Sequence, residues 1–171
     1  MPLLKGGVEV ADRWRALADA EPVPAEGDVV VPLARFLAER AALLARAGNL
    51  GVRCRNPEVV EVLAPDLHRI GLIVLEFPRF GDGRAFTQAR TLRQRLGFQG
   101  ELRATGEVLA DQLLHMGRCG FDAFESALPD LAAAWRQAGA SYRAYYQPAT
   151  ADHAPLIAGL RRGRGAPLAN P

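Results

Sequence analysis

The sequence predicts an α/β fold in which about six parallel strands alternate with helices. Short strand-like segments recur at intervals of about 20–22 residues in four of five cases, a spacing typical of compact strand–helix repeats. The segment 70–76 is nearly continuous in apolar residues, as expected of a strand covered on both faces. Gly97 and Gly120 stand where helices are expected to end. The segment centres lie near residues 30, 52, 73, 103, 123 and 144.

The amino-terminal residues 1–27 predict a small hairpin followed by a loop. Two apolar stretches, 3–4 and 8–10, flank Gly6 and Gly7, and paired glycines are a common hairpin turn. Residues 21–27 are rich in proline and glycine, which is typical of a loop. We therefore predict a single α/β domain over 28–148, and a poorly ordered tail over 149–171 because of its prolines and clustered arginines.

The main domain is predicted to begin with strand 29–31, and Pro32 suits the first turn of the helix that follows. Two topologies satisfy the pattern, an open doubly wound sheet and an incomplete barrel, and the even spacing favours the barrel-like form. The exposed strand edges of an incomplete barrel would also favour a homodimer. The predicted strands are 29–31, 50–54, 70–76, 101–104, 121–125 and 141–147; the predicted helices are 32–47, 56–63, 84–96, 107–118 and 129–137.

Composition and charge restrict the classes of function. The chain has 171 residues, 49% of them hydrophobic and 23% charged, as in a soluble globular domain. A complete eight-fold barrel needs about 250 residues, so the chain is short for one. The net charge of +2 indicates no general polyanion-binding surface, so we expect no nucleic-acid partner. The longest apolar run, 70–75, is too short to cross a bilayer, and the absence of a signal-peptide pattern favours a cytoplasmic protein.

The cysteines indicate neither a disulfide framework nor a metal site. Cys54 and Cys119 lie 65 positions apart and form no CxxC pair, which excludes a zinc ribbon or a four-cysteine iron–sulfur cluster within one chain. Asp111, His115 and Cys119 share one helical stripe but make a weak ligand set, so no metal is predicted. The common nucleotide-binding and hydrolase motifs are also absent.

Charged residues cluster where the predicted strands end, which is where parallel α/β proteins bind ligands. Glu76, Arg79, Asp82 and Arg84 follow the third strand in a glycine-containing loop that leads into a helix. Arginine side chains and free backbone N–H groups there would form an oxyanion site. Alternatively, Asp82 only caps the helix.

Arg103 lies at the end of a predicted inner strand, where a charge needs a partner. Glu76 and Glu125, at the ends of other strands, are the candidate partners. A structural network of arginine and glutamate and a ligand-binding clamp are equally compatible with this pattern.

The sequence resembles an uncharacterised bacterial family, domain of unknown function 934, over most of its length. The segment 75–124 carries the likeness. Its most distinctive pieces are Glu76-Phe77-Pro78, Asp82-Gly83-Arg84, Gly100-Glu101-Leu102-Arg103-Ala104, Asp111-Gln112-Leu113 and Arg118-Cys119-Gly120-Phe121-Asp122. The resemblance implies an oxidoreductase role in sulfite reduction, because genes of the family tend to lie beside that of the sulfite reductase haemoprotein.

The chain shows no cluster ligands and no dinucleotide motif with which to transfer six electrons by itself. We therefore expect an accessory protein of assimilatory sulfite reduction that acts with the sulfite reductase haemoprotein. The alternative is a barrel-like enzyme for an anionic substrate, with Glu76 and Glu125 as catalytic residues and Arg79, Arg84 and Arg103 binding the anion. No cofactor is evident, although a flavin site needs no single short motif.

Overall fold

The computed structural model describes residues 1–140 and 149, and its strands form one sheet that curls into a half barrel. The strand order across the sheet is β2-β1-β8-β7-β6-β5-β4-β3. The predicted strand 141–147 and the predicted tail, except for residue 149, lie outside the described residues. The strands are β1 Leu3–Lys5, β2 Val8–Val10, β3 Arg15–Ala16, β4 Val29–Pro32, β5 Leu50–Cys54, β6 Ile70–Phe77, β7 Glu101–Gly106 and β8 Ala123–Glu125.

The sheet is mixed, with a parallel part and an antiparallel hairpin. The six strands from β3 to β8 are parallel, and five of them correspond to predicted strands. The first of them is the unpredicted β3, however, and β1 and β2 run antiparallel at the other end of the sheet. The hairpin turn was predicted correctly, since Gly6 and Gly7 have φ of 57° and 81°, as a type I′ turn requires.

The helices are shorter than the sequence pattern predicted. The predicted helix 32–47 is two helices that meet at Glu39, whose φ of −109° interrupts the helical backbone. The predicted helix 56–63 is a 3₁₀ segment over Val60–Arg69 that contains Pro65, a residue that cannot donate a helical hydrogen bond. The helix predicted over 107–118 has a 3₁₀ turn, Ala110–Gln112, before its α-helical part. The α-helices are α1 Leu33–Ala38, α2 Arg40–Ala45, α3 Arg84–Arg90, which continues as a π-helical turn over Thr91–Arg95, α4 Leu113–Cys119 and α5 Leu131–Ala140.

The two faces of the sheet have different coverings. The parallel strands follow one another in chain order, and right-handed crossovers place the intervening helices on one face, which we call the helix face. Its strand side chains join a single large apolar core with those of the helices, including Val31, Val52, Leu75, Leu102 and Phe124. The opposite, concave face has a small apolar cluster of its own, formed by Trp14, Val30, Leu72 and Val74.

Arginines stabilise the edge of the sheet at which the parallel strands begin. Arg93 donates hydrogen bonds to the carbonyl oxygens of Phe98, Gly100 and Gly120, at 2.6, 2.9 and 3.0 Å. Arg46 likewise donates to four carbonyl oxygens, which lie in the loops that lead into β4 and β5. Several arginines of this chain therefore bind backbone rather than ligand.

Within the described part of the chain, every helix is too short or too polar to cross a membrane.

Candidate functional site

The segment between β2 and β3 crosses the concave face. These are the two edge strands of the sheet, and only residues 11–14 connect them. In a flat sheet, seven strand spacings of about 4.8 Å would separate the edges by about 34 Å. Five steps along the chain reach at most about 18 Å. The curl of the sheet must therefore bring its edges together, and residues 11–14, which we call the strap, bridge them.

The strap is packed against the sheet through Trp14. The indole ring contacts Val30, Leu72 and Val74 on the concave face. Gly71 lies beneath the ring, and a Cβ atom at that position would be 3.3 Å from the indole. The absence of a side chain at residue 71 thus allows Trp14 to lie close to β6.

Arg103, a predicted anion-binding residue, is buried on the concave face with carboxylates around it. Its Nη1 and Nη2 donate to the two carboxylate oxygens of Asp12 in the strap, at 2.7 and 3.1 Å. Its Nε and Nη2 donate to Oε1 of Glu101, at 3.0 and 2.8 Å. The side chain of Arg103 is 3% exposed and that of Glu101 7%. The guanidinium is thus already neutralised by the protein, which favours the network interpretation over the clamp.

Of the two carboxylates predicted to pair with Arg103, only Glu125 forms an ion pair with it among the described residues. Glu125 Oε2 is 3.9 Å from Arg103 Nη1, whereas Glu76 forms no ion pair among the described residues. Asp12 was not predicted, because it is 91 positions away and only the strap places it there. Burial opposes ionisation of Asp12, but hydrogen bonds from Arg103 and from the Trp14 amide outweigh it and lower the pKa of Asp12.

The predicted catalytic pair, Glu76 and Glu125, lies in one row of the concave face near the carboxyl ends of the strands. Glu76 is opposite Thr105 in the register of β6 with β7, and Thr105 is next to Glu125 by continuation of the β7–β8 register. Both glutamates are half-buried and Thr105 is buried. The two carboxylates thus flank Thr105, with one strand between them. Their catalytic role stays a prediction.

Arg53 also lies on the concave face and was not predicted. Leu50, Val52 and Cys54 of β5 enter the core of the helix face, so the alternation of the strand directs Arg53 to the opposite side. It is opposite Val74 in the register with β6 and is half-buried. The sequence of β5 could have identified Arg53 as a candidate residue, because it is the one charged residue in an otherwise apolar strand.

The glycine-containing loop after β6 has its charges paired internally. Arg84 binds Asp82 through Nε and Nη2, at 2.9 and 2.6 Å. The hydrogen bonds from the Arg84 guanidinium hold the pKa of Asp82 well below its usual range. Asp82 also accepts the Arg84 N–H at 3.3 Å, so it makes a local turn contact as well as an ion pair. Arg79 is exposed, and among the described residues its side chain shares no ionic partner with Arg84 or Arg103.

The loops at this edge are fixed by side chains from neighbouring elements. The Phe80 N–H donates to Glu107 Oε2 at 2.8 Å, and Gln112 Nε2 donates to the Phe80 carbonyl at 3.0 Å. Buried Gln88 on α3 donates to the carbonyl oxygens of Arg55 and Glu58, at 3.0 and 2.8 Å. The loops after β5 and β6 are therefore held in place by hydrogen bonds that cross between elements.

Three large apolar side chains project from these fixed loops. Val59 is 59% exposed, Phe80 62% and Leu109 37%, and they follow β5, β6 and β7 respectively. We call these three residues the rim surface. Exposed apolar side chains grouped on ordered loops are typical of a surface that contacts another molecule.

Neither cysteine is a reactive thiol. Burial, with a contribution from Glu58, raises the pKa of Cys54 to about 12. Burial also raises the pKa of Cys119, against the opposing effect of Arg90 and Arg118. Cys119 Sγ is 3.7 Å from His115 Nε2, but Asp111 belongs to the preceding 3₁₀ turn. Within the described residues, no group of three or more His, Cys, Asp or Glu side chains could hold a metal ion.

Comparison with known proteins finds one family. The family model described as "Bacterial protein of unknown function (DUF934)" matches residues 51–157. The match includes β5 to β8, and with them Arg53, Glu76, Arg103 and Glu125. No curated protein matches the chain.

Proposed function

We propose that this chain, which belongs to that family of bacterial proteins of unknown function, is an accessory protein of assimilatory sulfite reduction. It acts by binding the sulfite reductase haemoprotein, as the gene neighbourhood of the family implies. The observation that carries the proposal is the rim surface, in which Val59, Phe80 and Leu109 are exposed on loops that hydrogen bonds hold rigid. Rigid loops lose little conformational entropy when a partner binds.

The state of the thiols supports an accessory role. Both cysteines are buried, and burial raises the pKa of each, so neither is a ready thiolate at neutral pH. In this proposal the haemoprotein supplies the redox chemistry and this chain supplies a binding surface.

The test is a pull-down of the tagged protein from its own host, grown with sulfate as the only sulfur source. Co-elution of a reductase-sized band with a sirohaem spectrum is expected for the wild type. Phe80→Asp and Leu109→Asp should abolish it, because each places a charge at the centre of the contact. Leu37→Asp is the matched control, since Leu37 is 47% exposed but belongs to helix α1 and not to these loops. A colourless eluate from the wild type would overturn the proposal, and so would equal capture by the rim variants.

A second candidate function is an enzyme acting on a small molecule, with Glu76 and Glu125 as acid and base. The observation that favours it is their placement in one row on either side of Thr105, near the carboxyl ends of parallel strands. Arg103 lies 3.9 Å from Glu125 but already binds two other carboxylates, so the predicted anion-binding role falls to other groups.

Incubation of the protein with a metabolite extract of the host, followed by mass spectrometry, tests this second function. A compound consumed by the wild type but not by Glu76→Gln or Glu125→Gln is the expected result. Arg136→Gln is the control, because Arg136 is exposed on α5 and belongs neither to this row nor to the predicted anion-binding residues. Identical consumption by the wild type and both glutamine variants would contradict the assignment.

Homodimerisation is also proposed, since β2 is an edge strand whose three residues are all exposed. Unpaired strand edges tend to pair with a second chain unless they are protected. Light scattering at micromolar concentration checks this, and a monomeric mass would contradict it.

A further inference from the structure

Two oppositely charged side chains on the concave face have no partner among residues 1–140. The side chains of Arg53 and Glu76 form neither a hydrogen bond nor an ion pair there, although both residues are half-buried. Partial burial removes hydration from a charge, and a charge without a partner then carries a cost in free energy. By contrast, neighbouring Arg103 and Glu101 are fully paired.

The register of the sheet places these two side chains diagonally on adjacent strands. Arg53 on β5 is opposite Val74 on β6, and Glu76 lies two residues further along β6. One strand spacing and two residues of rise separate their Cα atoms by about 8 Å. Both side chains leave the same face of the sheet, because Val74 and Glu76 share one face of β6. Two opposite charges that do not form an ion pair with each other are therefore held on adjacent strands of one face.

The strap covers the other half of this face. Trp14 contacts Val30, Leu72 and Val74, and Asp12 reaches Arg103. Glu76, Thr105 and Glu125 lie one row closer to the carboxyl ends of the strands. The strap thus forms one wall beside Arg53 and Glu76, while the carboxyl ends of the strands lie on the other side.

Charged side chains of both signs line the concave face. The positive residues include Lys5, Arg53 and Arg103, and the negative residues include Asp12, Glu76, Glu101 and Glu125. A small molecule that carries both signs of charge is therefore complementary to this face.

We infer that Arg53 and Glu76 together bind a small zwitterion, a molecule with one oxyanion group and one ammonium group. Arg53 binds the oxyanion through its guanidinium, and Glu76, supported by Glu125, binds the ammonium. The inference goes beyond the proposed docking role and uses none of the rim residues, so either can fail while the other stands.

Binding of a graded set of amino acids tests the inference. Glycine, β-alanine, 4-aminobutyrate and 5-aminopentanoate place the two charges at increasing separation, and acetate and ethylammonium each carry one charge only. Saturation-transfer NMR and calorimetry at low salt, where charge interactions are least screened, give the affinities. At least one zwitterion should bind about tenfold more tightly than either single-charge probe, and Arg53→Gln and Glu76→Gln should each reduce its affinity by about tenfold or more.

Matched variants separate binding from folding. Arg136→Gln removes an exposed positive charge on α5, outside this face, and should leave the affinity unchanged. The double reversal Arg53→Glu with Glu76→Arg should restore binding that each single reversal abolishes, since the zwitterion can bind in the opposite direction. Absence of binding by all four zwitterions overturns the inference. Binding of acetate as tight as that of the best zwitterion overturns it too, as does a double reversal that fails to rescue while its thermal unfolding matches the wild type.

Discussion

The two faces of the sheet are stabilised in different ways. On the helix face, Leu75, Leu102 and Phe124 join one continuous apolar core that includes side chains from the helices. On the concave face, the same strands present Glu76, Arg103 and Glu125, and the covering element is a strap of four residues. One face is stabilised by non-directional burial of apolar area, and the other by specific hydrogen bonds around one arginine.

This difference indicates where the molecule tolerates change. A close-packed apolar face responds to any change of volume, because its neighbours relax only partly. A face built around a paired buried charge responds mainly to loss of a partner, because the remaining charge is then uncompensated. Four substitution or labelling experiments distinguish these responses.

Arg103→Leu should produce the largest loss of unfolding free energy. Removing the guanidinium leaves the carboxylates of Asp12 and Glu101 without their main partner, and breaking a buried pair costs about 3–5 kcal/mol. The free energy of unfolding in urea, with exposed Arg79→Gln as the control, measures it. A loss below about 1 kcal/mol would mean that the network contributes no more than a surface ion pair does.

Leu102→Ala and Leu72→Ala compare the two faces directly. Both leucines are fully buried, but Leu102 belongs to the large core and Leu72 to the small cluster beneath Trp14. Truncation of a buried leucine costs about 2–5 kcal/mol, depending on how well the site collapses. The strap can move towards β6 and partly fill the cavity, so the loss of unfolding free energy should be smaller for Leu72→Ala. Equal losses of unfolding free energy would show that the strap is as rigid as a helix.

Asp12→Asn should cost about 1–2 kcal/mol at neutral pH through the loss of its charged hydrogen bonds to Arg103. The pKa of Asp12 is lowered in the folded state, so its contribution is complete above the ordinary carboxyl pKa. That contribution is lost as the pH falls through the lowered value. The difference in unfolding free energy between wild type and variant should therefore shrink in acid. A difference in unfolding free energy that stays constant between pH 7 and the acid range would contradict the predicted direction of the pH dependence.

Thiol labelling should give the smallest effect. With its pKa raised to about 12, Cys54 is a thiolate in only about one molecule in ten thousand at pH 8, and it is also buried on the helix face. Iodoacetamide should label the native protein far more slowly than the urea-unfolded protein, as measured by intact mass. Rapid labelling of native Cys54 would show that the helix face opens readily.

The sequence predicted the parts of the molecule that depend on neighbouring residues. The strands at 50–54 and 70–76 and the Gly6-Gly7 turn are present, because alternation, apolar runs and turn chemistry are local properties. Glu76 and Glu125 were placed at strand ends, and the structure brings them into one row. The prediction missed the break at Glu39, since residues 32–47 carry no glycine or interior proline to mark it.

Contacts between distant parts of the chain could not be predicted in this way. Pairing of β1 with β8 joins residues about 120 positions apart, and no local pattern specifies it. Asp12 reaches Arg103 across 91 positions only because the sheet curls enough for the strap to bridge its edges.

The sequence by itself determined the class of fold and the family, because the periodicity and motifs that specify them lie along the chain. Only the tertiary structure decided which charges are neutralised. Arg103 is paired and Arg53 is not, although both interrupt apolar strands, since the strap delivers Asp12 to one and not to the other. Electrostatic pairing depends on distance in space, and in a curled sheet that distance is set by closure of the whole fold.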